Sequence, residues 1–316
     1  MLFLIEHVPL PLGGVALGLA ALGNLLQPWS EAAHALCGIA SALFLILVIA
    51  KAALFPHRVR EDLHNSILAS VSATSFMALM QLAGYLAPWA FAPALTLWTG
   101  AVVGHLVLMG WFTTRFVARF SLDEVFPTYF ICYVGIVVAS VTSPAFGLQG
   151  IGRLLLVLGA VTYAILLVVV TWRYLRRPVP ESAEPLFCIY TAPMSLSLAG
   201  YLAVVPEPNP VLVGMMLVAA QGLFLIVLVR LPHLLALPFY PSYAAMTFPF
   251  VITATALGKA FACLQAQGGP IPPVLDGLPL VEAALATAMV LYVSGRYVHF
   301  LARQREHAPT RAARTR

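Results

Sequence analysis

The chain has 316 residues, of which 61% are hydrophobic and only 9% charged, whereas a soluble domain carries about 25% charged residues. With a mean hydropathy of +0.93, no water-soluble core could enclose this much apolar surface, so composition specifies an integral membrane protein. The net charge of +5 does not describe a nucleic-acid surface, because the basic residues stand at the ends of apolar segments, where they act as topology signals.

A spanning helix needs roughly 20 predominantly apolar residues. Apolar runs bounded by charged or Pro/Gly-rich breaks predict ten spans, over 8–27, 31–55, 67–87, 91–116, 127–143, 149–175, 185–204, 209–231, 241–264 and 278–303. The start "MLFLIEH" lacks the basic region of a signal peptide, so the first stretch reads as a retained span. The fifth span is short. In the ninth, "PSYAAMTFPFVITATALGKA" places Pro249 inside an otherwise helical run, and a mid-helix proline removes a hydrogen bond and kinks the helix. Residues 1–303 thus form one membrane domain, followed by a short basic tail over 304–316.

The connections alternate in charge. Fifteen of the 17 Lys and Arg residues lie on the side reached after even-numbered spans; the exceptions are Arg153 and Lys259. The positive-inside rule then places both termini in the cytoplasm of a cell or plasma membrane protein. The spans alternate as well. Odd ones carry Pro, Gly, Ser and Thr, such as Gly14 and Gly18 in the first, Ser72 in the third and Ser140 in the fifth. Pro193 in the seventh and Pro249 and Thr253 in the ninth continue the pattern. Even spans such as "LLLVLGAVTYAILLVVVTW" have the composition of lipid-facing helices. Small residues and hydroxyls can serve close helix packing, and broken helices are tolerated where they line a cavity. The pattern over five hairpins predicts an inner ring of odd helices inside an outer ring of even ones.

Chemistry-bearing residues are sparse. No HExxH, GxSxG or P-loop occurs, and "GLQGIG" (147–152) reads as a turn, so the reading is not an enzyme. Cys37, Cys132, Cys188 and Cys263 all lie in apolar segments without CxxC spacing, which predicts packing residues and neither a metal site nor a disulfide framework. No cofactor is called for. His105 is the clearest ionisable group deep in a span; on an even helix, a helix-pairing role is favoured over a functional one. Of the 12 acids, only Glu282 approaches mid-membrane. That leaves neither a carboxylate relay for ion coupling nor an acidic ring for cations. A hydroxyl-lined path with little fixed charge suits weakly held anions or small neutral solutes.

Several stretches carry a family likeness. "SYAAMTFPF" (242–250) resembles the ninth-helix signature of the tellurite-resistance/dicarboxylate transporter family, which includes the plant slow-type anion channels. "PLPLGGVALGLAALG" (9–23) resembles the first helix of that family, with weaker echoes in "FPTYF" (126–130) and "YTAPMSLSLAGYL" (190–202). The resemblance implies ten transmembrane helices as five hairpins around a quasi-five-fold central pore, assembled as a homotrimer. It further implies a pore gate at Phe248, aimed by Pro249; the competing reading of Phe248 is an ordinary core residue. Gly14, Gly18, Ser72, Ser140, Pro193 and Thr253 are the pore-lining candidates, and Lys259 is a candidate for steering anions. The implied function is a passive channel for small inorganic or organic anions. The alternative is a carrier of malate-like C4-dicarboxylates or an exporter of tellurite or other toxic ions.

Overall fold

The computed structural model describes residues 2–306; most of the basic tail, from residue 307 onward, lies outside the described residues. The described chain is helical. After a short helix, Leu2–Glu6, come α1 (Leu12–Leu26), α2 (Glu31–Leu54), α3 (Ser66–Leu86), α4 (Phe91–Val117) and α5 (Thr128–Phe146). They are followed by α6 (Gln149–Arg176), α7 (Glu181–Val204), α8 (Pro210–Ala236), α9 (Pro241–Ala266) and α10 (Leu278–Glu306). Among the described residues, nine helical segments are long and apolar enough to cross a membrane, and α1 is a shorter apolar helix.

Two of the even-numbered helices, α2 and α8, start on side-chain caps. Ser30 accepts the amide N–H of Ala33 at 3.1 Å at the head of α2, and Asn209 accepts those of Val211 and Leu212 at the head of α8. Such side-chain acceptors satisfy amides that the first helical turn leaves without partners. The connections into α2, α4, α6 and α8 are a few residues long, so each pair folds as an antiparallel hairpin.

The odd helices are interrupted. α3 breaks at Ser72, α5 alternates α and 3-10 turns between Thr128 and Phe146, and α7 opens with a 3-10 stretch over Glu181–Thr191. α9 opens with a 3-10 stretch over Pro241–Met246, and its break differs in place from the expected proline kink. Thr247 leaves helical geometry at φ −104° and ψ −88°, and Pro249 is the second residue of the α-helix Phe248–Ala266. There the missing N–H is one the helix cannot use anyway. Pro193 occupies the same second position in Ala192–Val204 of α7. Both prolines start helices and do not bend them. Conversely, Pro232 lies within α8, which runs on to Ala236, beyond the expected end at 231.

Contacts among the odd helices close a ring: α1 packs on α3, α3 on α5, α5 on α7, α7 on α9, and α9 back on α1. Each even helix lies in a groove between two successive odd ones; α4 packs on α3 and α5, α8 on α7 and α9, and α10 on α9 and α1. Burial follows this division. The odd helices α3, α5, α7 and α9 are 56–72% buried over their most apolar windows, and the even ones only 22–28%. Every residue of α1 from Leu12 to Gly23 is buried. The apolar surface of the even helices therefore faces outward, where lipid replaces water as the solvent.

Loops on the side of the chain termini are tied by ion pairs: Lys51 to Asp62 at 2.6 Å, Arg58 to Glu6 at 3.0 Å and Arg177 to Asp123 at 3.1 Å. His105, in α4, is fully buried, and its Nε2 bonds the carbonyl oxygen of Cys132 in α5 at 2.8 Å. That carbonyl lies where α5 breaks after Tyr133, so the imidazole serves a helix-pairing contact. All four cysteines are free; Cys132 and Cys188 are buried.

Candidate functional site

Two chambers open among the helices, one walled by the five odd helices and one bounded by α1, α3, α5, α9 and the outer helix α2. The near chamber, about 300 Å³, opens toward the side of the chain termini and draws its walls from all five odd helices. Among its lining residues are Gly14 and Leu17 of α1, Thr74 and Met77 of α3, and Val134 and Gly135 of α5. Pro193 and Leu196 of α7 and Phe248 and Pro249 of α9 complete its inner part. None of its lining residues carries a formal charge. At its mouth the Tyr240 hydroxyl donates to Glu181 at 2.6 Å, and this bond pushes the phenol above its ordinary value, so the ring stays neutral.

The far chamber, about 1010 Å³, is polar by comparison. Asn24, Glu31, His34, Gln81, Tyr85, Thr142, Thr255 and Lys259 line it. Lys259 is exposed and makes no hydrogen bond or ion pair with the described residues. Arg153, the other basic residue on this side, donates from Nε to the Val204 carbonyl at 3.0 Å and so closes the end of α7.

No residue lines both chambers. The separation is one helical turn on three helices. Leu17 lines the near chamber and Ala21 the far one; Met77 and Gln81 stand in the same relation, as do Phe248 and Ile252. Residues four apart share a helix face about 5–6 Å apart. Leu17, Met77, Leu196 and Phe248 are apolar members of the near chamber's lining, and all four are buried. Phe248 has no ring partner among the described residues. Two residues on, Phe250 packs edge-on against Phe224 of α8 with centroids 5.6 Å apart.

The candidates read from the sequence divide accordingly. Gly14, Pro193, Phe248 and Pro249 meet at the near chamber and Lys259 reaches the far one. Gly18, Ser72, Ser140 and Thr253 line neither. Gly18 faces Thr247, whose Cβ would stand 2.5 Å from a Cβ placed on the glycine. Ser72 turns back to the Ala69 carbonyl at 2.6 Å. Ser140 bonds the Gly152 carbonyl of α6 at 2.7 Å, and Thr253 sits between α7 and α9, bonded to Thr191 and Ser195. Gly18, Ser140 and Thr253 thus serve contacts between helices, as membrane packing favours, whereas the Ser72 hydroxyl bonds only within its own helix.

Leu17, Met77, Asn24, His34 and Gln81 were not singled out in the sequence. The apolar pair gives no signal inside apolar spans. Gln81 does, as a lone amide in "FMALMQLAGYL", and so does Asn24 at the end of the first span.

The fold and its interior define a polytopic helical membrane protein with a chamber walled by its five odd helices. The voltage-dependent anion channel family model matches residues 7–298, and the chain belongs to that family. No curated protein matches the chain. The membership accords with the resemblance carried by the first- and ninth-helix motifs, and it connects the protein with anion permeation.

Proposed function

We propose that the protein is a passive channel for small anions, with ten membrane crossings around one central pore that Phe248 occludes. The supporting observation is the apolar inner lining of the near chamber, to which Phe248 belongs. An ion passing it must shed water against Leu17, Met77, Leu196 and Phe248, none of which can coordinate it. One bulky ring in such a lining can hold the path shut, as hydrophobic constrictions do by dewetting. Pro249, by starting the α-helix directly behind Phe248, sets where the ring stands.

Selectivity in this reading comes from size and dehydration cost, with Lys259 raising the anion concentration in the far chamber. In this reading both termini are cytoplasmic, with the near chamber facing the cytoplasm and the far chamber outside; the charge bias of the loops supports it. The exposed apolar even helices provide surfaces for lipid and for assembly as a homotrimer. The reading involves no catalysis. The other reading, a carrier of C4-dicarboxylates or of toxic oxyanions, requires alternating access.

Phe248→Ala decides between gate and core. In reconstituted liposomes and planar bilayers the variant should remain folded and conduct anions well above the parent, with currents reversing at the anion's equilibrium potential. A well-folded variant no more conductive than the parent would remove the gate. Saturable flux that requires a proton gradient would favour the carrier.

A further inference from the structure

We propose that a phospholipid head group binds in a cavity between the ends of α6 and α8, on the side of the chain termini, with its phosphate held by Arg177 and Arg230. The ligand class is an anionic glycerophospholipid. The inference does not depend on the channel reading, since it concerns the outer surface of the helix ring.

The cavity holds about 380 Å³, and three elements wall it. The end of α6 contributes Tyr174 and Arg177, the 3-10 opening of α7 contributes Glu184 and Phe187, and α8 contributes Arg230 and His233. Residues three apart stand nearly in line on a 3-10 helix and share a face of an α-helix, so α7 and α8 meet in two rungs. On one, His233 Nε2 stands 2.8 Å from Glu184 Oε2. On the other, the Arg230 guanidinium carbon lies 5.4 Å from the centre of the Phe187 ring. The Phe187 ring is in turn 6.0 Å from that of Tyr174, centre to centre, and Arg177 follows Tyr174 by one helical step of three residues. Arg177 and Arg230 thus border one small space from two helices.

The charges of this space call for an anion. Arg230 is exposed, and apart from the ring contact it has no hydrogen bond or ion pair among the described residues. Arg177 gives its Nε to Asp123 at 3.1 Å, which leaves its terminal nitrogens. The one carboxylate that lines the cavity, Glu184, is engaged by His233. Guanidinium forks match the oxygens of a phosphate in pairs. A head-group cation such as choline would meet no free carboxylate here, so a phosphodiester without one fits better. The surroundings select a lipid over a soluble phosphate. Val229, next to Arg230, and Leu175, two residues before Arg177, are exposed apolar residues on the outer helices, where acyl chains run. Trp172, also exposed, has the amphipathic ring that settles at head-group depth, and basic pockets between membrane helices at that depth hold anionic head groups. Such a lipid would brace α7 from outside, because Glu184 and Phe187 face this cavity while Ala183 and Leu186 line the near chamber.

The test titrates the purified full chain in detergent with phosphatidylglycerol, read as the thermal unfolding midpoint and, by native mass spectrometry, as lipid retained. Phosphatidylglycerol should raise the midpoint and stay bound, and phosphatidylcholine at the same concentration should do neither; equal protection by the two would overturn the site. Inorganic phosphate should not protect either, and protection equal to that of the lipid would assign the cavity to a soluble ligand and overturn the lipid. Arg230→Gln, whose guanidinium has no ion pair to lose, should still fold and should raise the half-saturating lipid concentration about tenfold, the effect of losing a hydrogen bond to a charged group. Arg176→Gln removes the same charge beside Arg177 but from the wall of a separate groove, and it should leave lipid binding as it is. Unchanged binding in Arg230→Gln, or an equal loss in both variants, would mean that lipid gathers on the basic surface at large, and the site would fall. A cryo-EM map of the unmodified protein in phosphatidylglycerol nanodiscs needs no variant. Head-group density between Arg177 and Arg230 supports the site, and an empty cavity overturns it.

Discussion

The hydroxyl of Thr247 donates to the carbonyl oxygen of Gly14 across 3.0 Å and to that of Ala244 at 2.7 Å. The first bond joins the break in α9 to the wall of α1, one residue before Phe248, and the second turns back to the 3-10 stretch of α9 itself. On the same face of α1, a Cβ on Gly14 would stand 3.2 Å from the Ala244 Cβ, and Gly18 faces Thr247 itself. The glycines of the first helix therefore act as a seat for the broken segment of the ninth.

That seat predicts the effect of filling it. In Gly18→Ala the new methyl has no room, because the Thr247 side chain and the Phe248 amide are both in the way. Overpacking of this kind costs about 1–3 kcal/mol. Thermal unfolding in detergent should show a lowered midpoint, and anion flux in liposomes should change because the segment carrying Phe248 is displaced. An unaltered midpoint would mean that the two helices part without cost.

The two phenylalanines of "FPF" should behave in opposite ways. Phe250 packs on Phe224 and is 1% exposed, so Phe250→Ala should lose about 3–5 kcal/mol and gain no current. Phe248→Ala should keep its stability and gain current. Paired melting curves and bilayer recordings of the two variants check this, and a destabilised, silent Phe248→Ala would place that ring in the core.

Ser140→Ala and Thr253→Ala should leave conductance as it is. Both hydroxyls are buried against neighbouring helices and line neither chamber. Each substitution should cost about 1 kcal/mol in stability, read as a lower melting temperature in detergent. A changed ion selectivity in either variant would put its helix face on the pathway.

His105→Ala removes the donor that serves the Cys132 carbonyl at the break of α5. A buried carbonyl losing its partner costs about 1–3 kcal/mol, so the variant should melt earlier, and conduction in the Phe248→Ala background should persist. A complete loss of conduction in a folded protein would instead assign the imidazole to the pathway.

Lys259→Glu should reduce anion current, and the reduction should be largest in dilute salt. The Debye length falls from about 30 Å at 0.01 M to about 3 Å at 1 M, so high salt should erase most of the effect. Currents recorded across that range test the steering role. A loss independent of salt would point to direct coordination alone.

Much of this protein was legible from composition and spacing. Lipid as solvent, the helical class, the hairpin order and the difference between odd and even helices all follow from how apolar runs, basic loops and helix breakers alternate. The physical reason is that a bilayer enforces long, internally bonded segments, so the chain must declare them residue by residue. The tertiary structure decided which face of each odd helix looks inward. Every face of a ring helix is shielded from lipid, and Gly, Ser and Thr suit a helix contact as well as a cavity wall. Thus Gly14 reached the near chamber, while Gly18, Ser140 and Thr253 went to neighbouring helices. The break at Thr247 was decided in the same way. Pro249 announced an interruption, but its position depended on the carbonyl of Gly14, which only the closed ring brings to the Thr247 hydroxyl.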